Sequence, residues 1–158
     1  MTVNRLKRFL DQNHVPFTVI SHAPAYTGLE TAQAAHEPGG EFAKTVMLKI
    51  DDNLVMVVIP ADHLIDLNHL QQDLGSRSVS LAAEEEFAKV FPDCETGAMP
   101  PLGELYNVEV FIDESFASHQ MISFNAGTHQ EIIKMKYADF RHFTRAKPLG
   151  FLLVYTRE

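Results

Sequence analysis

Tryptophan is absent from this chain of 158 residues, cysteine occurs once, and no apolar run approaches the roughly 18 residues of a membrane span. A single cysteine cannot close an internal disulfide, which excludes a disulfide-stapled secreted scaffold. The first segment carries Arg5, Lys7 and Arg8 without the apolar stretch and small-residue cleavage site of a signal peptide. There is no Gly-rich phosphate loop of either standard spacing, no HExxH and no CxxC. No internal repeat, low-complexity tract or Gly/Ser/Pro linker marks a domain boundary. What remains is 46% hydrophobic and 22% charged, which argues against disorder. The length suits a single domain, residues 1–158, able to bury about two-thirds of its unfolded surface without a disulfide or metal. These features predict a soluble, cytoplasmic domain.

The net charge of −8 is unevenly spread. Between Asp51 and Glu114 stand 14 acids against Arg77 and Lys89, a local net of −12. From Lys134 to Lys147 the balance reverses, with Lys134, Lys136, Arg141, Arg145 and Lys147 against Asp139. Such runs are usually solvated faces. Phosphate contacts are local, however, and a basic face on an acidic body can still bind nucleic acid.

Apolar spacing predicts a first helix capped by Thr2, with Val3, Leu6, Phe9 and Leu10 inward, ending near Asn13. A short strand over 15–20 and a loop over 21–26 follow. Thr27-Gly-Leu-Glu30 has the capping-box pattern and opens a helix to His36, stopped by Pro38-Gly-Gly40. Phe42 to Ile50 alternates, Asp51-Asp-Asn53 turns, and Leu54 to Ile59 returns, which is a hairpin. Asp62 is expected to cap one helix and Ser80 another, Leu81 to Phe91. Strands are expected at 108–112, 121–124 and 131–135, a helical turn at 137–143, and an apolar run at 151–155. Hairpins and helices in mixed order predict an α+β fold, a single domain with a mainly antiparallel sheet curved around one core.

Eight histidines invite a metal, yet only His63 and His69 share a segment, and a spacing of six does not put both on one helical face. No metal site is predicted. Cys94, within Pro-Asp-Cys-Glu, has acids that would raise its thiol pKa, so it is no activated nucleophile. Three places remain. Lys44 begins an apolar strand whose partner strand carries no acid; it either snorkels to solvent or projects into a cleft as a fixed cation. Gly97-Ala-Met-Pro-Pro-Leu-Gly103 is either a rigid turn or a loop that lets backbone approach a ligand. Phe124-Asn-Ala-Gly-Thr-His129 leaves a strand through small residues and can present N–H groups and an imidazole.

In this order and spacing, Phe42-Ala-Lys-Thr-Val-Met-Leu-Lys49 and the two segments just quoted resemble the YbaK/prolyl-tRNA-synthetase-associated editing-domain family. Ser21-His-Ala-Pro-Ala-Tyr-Thr27 before a helix is similar to that family too, and the likeness covers about residues 3–136. The resemblance implies a curved, largely antiparallel sheet with flanking helices and hydrolysis of mischarged aminoacyl-tRNA, here by a free-standing, trans-acting protein. It implies proline tRNA carrying a small wrong amino acid as substrate. The alternative is a non-catalytic aminoacyl or nucleotide-binding module of the same fold.

Carried over by position, the resemblance makes Lys44 the lysine at the acceptor end near the scissile ester. Gly97 and Pro101 belong to its Gly-x-x-x-Pro loop, and His129, with Gly127, to its second glycine loop; Lys44, Gly97, Pro101 and His129 form the catalytic set. Thr45, Ala98, Met99, Pro100, Gly127, His22 and Tyr26 are expected to contact substrate, and Arg141, Arg145 and Lys147 to hold tRNA phosphates. No cofactor is expected. The partners are aminoacyl-tRNA and a synthetase in a transient complex, with neither DNA nor a membrane. An activated ester needs a placed water and charge stabilisation rather than a strong nucleophile, so the loops' N–H groups are expected to hold the oxyanion.

Overall fold

The structure is a computed structural model and describes residues 3–150 and 153–155. Thr2, the expected cap, and Phe151 and Leu152 lie outside the described residues. The first helix, α1 (Val3–Gln12), buries Leu6 and Leu10 and leads to β1 (Phe17–Ser21). Helix α2 (Gly28–Ala34) starts on the predicted capping box: Thr27 Oγ1 accepts from the Glu30 N–H at 3.1 Å, and Glu30 Oε1 accepts from the Thr27 N–H at 3.3 Å. Strands β2 (Phe42–Ile50) and β3 (Asn53–Pro60) form the predicted hairpin, with Lys44 opposite Ile59.

Two helix expectations are corrected. Asp62 does not cap; its carboxylate accepts from His63 Nδ1 at 2.6 Å, and β4 (His63–Ile65) follows because it pairs with a distant strand. The cap is Asp66, which accepts from the His69 N–H and opens α3 (Leu67–Leu74), ended by Gly75 at φ 63°. Ser80 lies inside β5 (Val79–Leu81), hydrogen-bonded to β2, so only a short α4 (Glu84–Phe87) forms. A 3-10 turn (Gly103–Tyr106), β6 (Glu109–Asp113), a second 3-10 turn (Glu114–Ser118), β7 (Met121–Thr128), β8 (Glu131–Lys136) and α5 (Tyr137–Phe143) come next. Then come β9 (Lys147–Leu149) and β10 (Leu153–Tyr155), the latter paired with β4.

The main sheet has eight strands, ordered β1-β8-β7-β2-β3-β6-β9, with β5 on β2. It is mainly antiparallel, as expected: β1–β8, β8–β7, β2–β5 and the longest ladder, β2–β3, run antiparallel, while the shorter β7–β2, β3–β6 and β6–β9 pairings run parallel. Parallel neighbours are remote in sequence and leave no local turn signal, whereas hairpins do. One sheet face packs on α1, α5 and the Phe87–Tyr106 region through Met56, Ile112, Phe124 and Ile133. The other face packs on α2 through Phe42 and Ile132, and on α3 through Leu48 and Val57. Among the described residues no helix is long and apolar enough to cross a membrane.

Candidate functional site

On one edge β2 is paired with β3 throughout. On its other edge it pairs with β7 only at Phe42 and Ala43, and with β5 only at Leu48–Ile50. The edge between, at Lys44–Val46, is a gap in the sheet. Lys44 lies on the α2 face, its stem against the first turn of that helix. A methyl group on Gly28 would stand 3.1 Å from Lys44 Cδ, 3.2 Å from Lys44 Cβ and 3.3 Å from Ala61 Cβ, so glycine permits this approach. Burial pushes the Lys44 pKa down and Asp62 partly opposes it. Among the described residues no carboxylate comes within ion-pair distance of its Nζ. It is a half-buried cation with little local compensation.

The segment Glu95–Pro101 fills the gap. The Glu95 N–H donates to Gly127 O at 2.8 Å and the Gly127 N–H to Ala98 O at 2.9 Å, while Thr45 Oγ1 donates to Met99 O at 3.1 Å. Gly97 and Gly127 hold φ of 90° and 99°, which side chains other than hydrogen rarely tolerate. His129 closes the arrangement: its N–H donates to Glu95 Oε1 at 2.7 Å and its Nε2 to Thr96 O at 2.9 Å. A carbonyl can only accept, so a neutral ring keeps its Nδ1 lone pair. The ring lies against Gly97, 3.5 Å from where a Cβ would be, and against Tyr26, with centroids 4.7 Å apart. Tyr26 is 69% exposed, an aromatic face open to a ligand. His22 donates Nδ1–H to Ala23 O at 2.7 Å, and its Nε2 is buried without a partner.

Tyr26, Gly97 and His129 are thus linked through direct contacts, and Lys44 lies at the gap against Gly28, two residues along the chain from Tyr26. The other loop residues act differently. Ala98, Met99, Pro100, Pro101 and Gly127 are buried, and Met99 belongs to the main core, so this stretch is a wall rather than an open ligand surface. The expected oxyanion donors are mostly taken. Gly97 N–H meets Met99 Sδ at 3.2 Å, Ala98 N–H meets Glu95 O at 2.9 Å, and the Gly127 and His129 donors are used as above. The Met99 N–H is not among these.

Residues 22–143 match the family described as "Aminoacyl-tRNA editing domain". The chain belongs to the aminoacyl-tRNA editing domain family. It is 27% identical over 143 residues to the "Prolyl-tRNA editing protein ProX" of Acetoanaerobium sticklandii, covering 87% of each chain. It is 31% identical over 75 residues to a "Proline--tRNA ligase" of Bacillus cereus, which is 48% of this chain and only 13% of the ligase. A solved structure described as a candidate trans-editing enzyme for prolyl tRNA synthetase shares the fold, with a TM-score of 0.77 at 18% identity over 94% of this chain and 95% of that one.

In this editing domain the remaining expectations fall away from the gap. Arg141 Nη1 donates to the Ala146 carbonyl. Lys147 pairs with Glu109 at 2.6 Å and lies over the Phe111 ring. The Arg145 side chain is the more available cation, its backbone N–H donating to Glu104. Arg145 and Lys147 line a cavity of about 830 Å³ with Phe9, Phe143 and Glu104, and none of Lys44, Gly97 or His129 lines it. Arg5 is also engaged, 3.5 Å from Asp93 and over the Tyr106 ring. Burial pushes the Cys94 thiol up to about 11, more than its acidic neighbour does, so it stays protonated at neutral pH. Among the described residues no three His, Cys, Asp or Glu side chains converge as metal ligands. Sequence reasoning passed over Gly28 and Asn125; the signal for the second was a polar residue inside an apolar strand.

Proposed function

We propose that this editing domain hydrolyses, in trans, the ester of a mischarged aminoacyl-tRNA, with proline tRNA bearing a small wrong amino acid as substrate. The observation that carries this reading is Lys44, a half-buried cation without an ion-pair partner among the described residues, beside a gap closed by His129 and Gly97. The similarity to ProX supports the choice of tRNA. Lys44 neutralises phosphate at the acceptor end and fixes the ester over the gap, which supplies proximity. Tyr26 offers a face on which the terminal base stacks, an interaction worth about 1–3 kcal/mol. The lone pair on His129 Nδ1 accepts a proton of the attacking water or of the ribose. The buried wall at Ala98–Pro101 sets pocket size, so a larger cognate amino acid is excluded sterically. Rejecting a smaller one this way would yield only about 1–3 kcal/mol per methylene.

The test is deacylation of a panel of tRNAs, each charged with a cognate or a wrong amino acid. Release from proline tRNA carrying alanine, cysteine or serine, with prolyl-tRNA spared, is the expected result. Binding without release from any member would instead favour the non-catalytic module.

Phosphate contacts away from the ester give a separate expectation. Neutralising Arg145 to glutamine should lower the slope of log affinity against log salt by about 1 and raise KM, with kcat unchanged. Lys147→Gln should do less, because Glu109 already compensates its charge. An unaltered salt slope in the double variant would leave recognition to the acceptor end.

A further inference from the structure

Asn125 stands on β7 at the point where β7 and β2 part. It pairs with Ile132 of β8, and Ile132 pairs with Ile20 of β1; both isoleucines pack beneath α2. Cross-strand partners share a sheet face, so Asn125 faces α2 as well. Lys44 is on the same face, two residues beyond Phe42 and against Gly28. The parallel register runs Phe42 to Ser123 and Ala43 to Phe124, so its next step sets Lys44 abreast of Asn125, where pairing stops. A bulge between Asn125 and Thr128 then turns β7 toward the Glu95–Ala98 segment. Two polar side chains therefore lie side by side at the mouth of the gap.

The Asn125 side-chain oxygen is buried and has no hydrogen-bond donor. Its neighbours in the strand, Phe124 and Ala126, are both buried apolar residues. Leaving a buried acceptor unmet costs about 1–3 kcal/mol, and a small apolar residue there would avoid it. Such a group is held ready for a donor that arrives with a ligand, and rotation about χ2, a soft torsion in asparagine, turns it toward the gap. An ammonium donor would have to sit next to the Lys44 cation, at a like-charge cost. A neutral hydroxyl carries no such cost.

Resting on the editing reading, we propose that Asn125 contacts substrate directly, its side-chain oxygen accepting a hydrogen bond from the free ribose hydroxyl next to the ester. Lys44 on the phosphate and Asn125 on the hydroxyl would grip the same terminal nucleotide from adjacent strands. The grip holds the sugar in one orientation and makes the site selective for a ribose end.

The experiment uses acceptor-stem RNA hairpins whose amino acid is joined by an amide, which cannot be hydrolysed, with either ribose or the deoxy sugar at the terminal nucleotide. The parent should bind the ribose form about tenfold more tightly, as one hydrogen bond to a polar group allows. Asn125→Ala should bind both forms equally, at the parent's deoxy affinity, with a Tm equal to or above the parent's, since it removes the unmet acceptor. Asn125→Asp, still an acceptor, should keep part of the preference for ribose. A parent without preference, or an alanine variant that loses the same factor on both hairpins, overturns the proposal. Because the readout is binding, an ester substrate that is bound but never cleaved would sink the hydrolase reading and leave this contact intact.

Discussion

Replacing Lys44 by methionine is expected to lower kcat/KM for deacylation by at least about 100-fold, the scale of losing one preorganised charge-stabilising group. The same change should leave Tm equal to or above the parent's. Burial holds the Lys44 pKa below its ordinary 10.5, which means that the native fold disfavours the charged form. Between the lowered value and 10.5 the unfolded chain binds a proton that the native state has released, so the parent's stability rises with pH across that window. Below the window both states are charged and the native state carries the whole desolvation penalty. Methionine removes that penalty, so the variant's advantage is largest near neutral pH and shrinks toward pH 10.5. Paired kinetics and thermal unfolding over that range check both halves. Parental kcat/KM would take Lys44 out of the mechanism, and a Tm that falls would mean the cation is compensated in the native state.

That combination, a residue unfavourable to the fold and needed by the site, is partly legible in the amino-acid sequence. Lys44 in an apolar strand, opposite a strand without acids, stands out because both strands of the hairpin are local in sequence. The capping box at Thr27–Glu30 and the helix at Tyr137–Phe143 are legible for the same reason. What is not legible depends on partners far along the chain. His63–Ile65 becomes a strand because of Leu153–Tyr155, and Val79–Leu81 because of β2. Lys147 reads as a free cation until Glu109, 38 residues away, is found beside it. The loop donors read as open until the Gly127–Ala98 bond takes two of their polar groups. Local pattern places the residues of the site, and only the long-range pairing decides which of their atoms remain free.

Gly103 closes the motif that begins with Gly97, yet the two glycines serve different ends, and substitution by alanine should separate them. Gly103 is buried at the start of a 3-10 turn, and its carbonyl accepts from the Val108 N–H at 2.9 Å. A Cβ there would stand 2.5 Å from Val108 O and 2.5 Å from Val110 Cγ2. The first is backbone at the entrance to β6 and the second a stiff β-branched side chain, so neither yields cheaply. Overpacking of this kind costs about 1–3 kcal/mol and at times more. At roughly 2–4 °C per kcal/mol for a domain of this size, Gly103→Ala should lower Tm by about 3–10 °C. Below the new transition, kcat should be close to the parent's, because the clash faces β6 and not the gap. Gly97→Ala reverses the pattern. Its Cβ would meet only the His129 ring, at an ordinary 3.5 Å, but φ at 90° forces the backbone to shift and carries His129 with it. Activity should fall further than stability. Thermal unfolding and single-turnover deacylation of both variants give the comparison, and a Gly103→Ala protein with the parental Tm would show that the Val108–Val110 segment gives way after all.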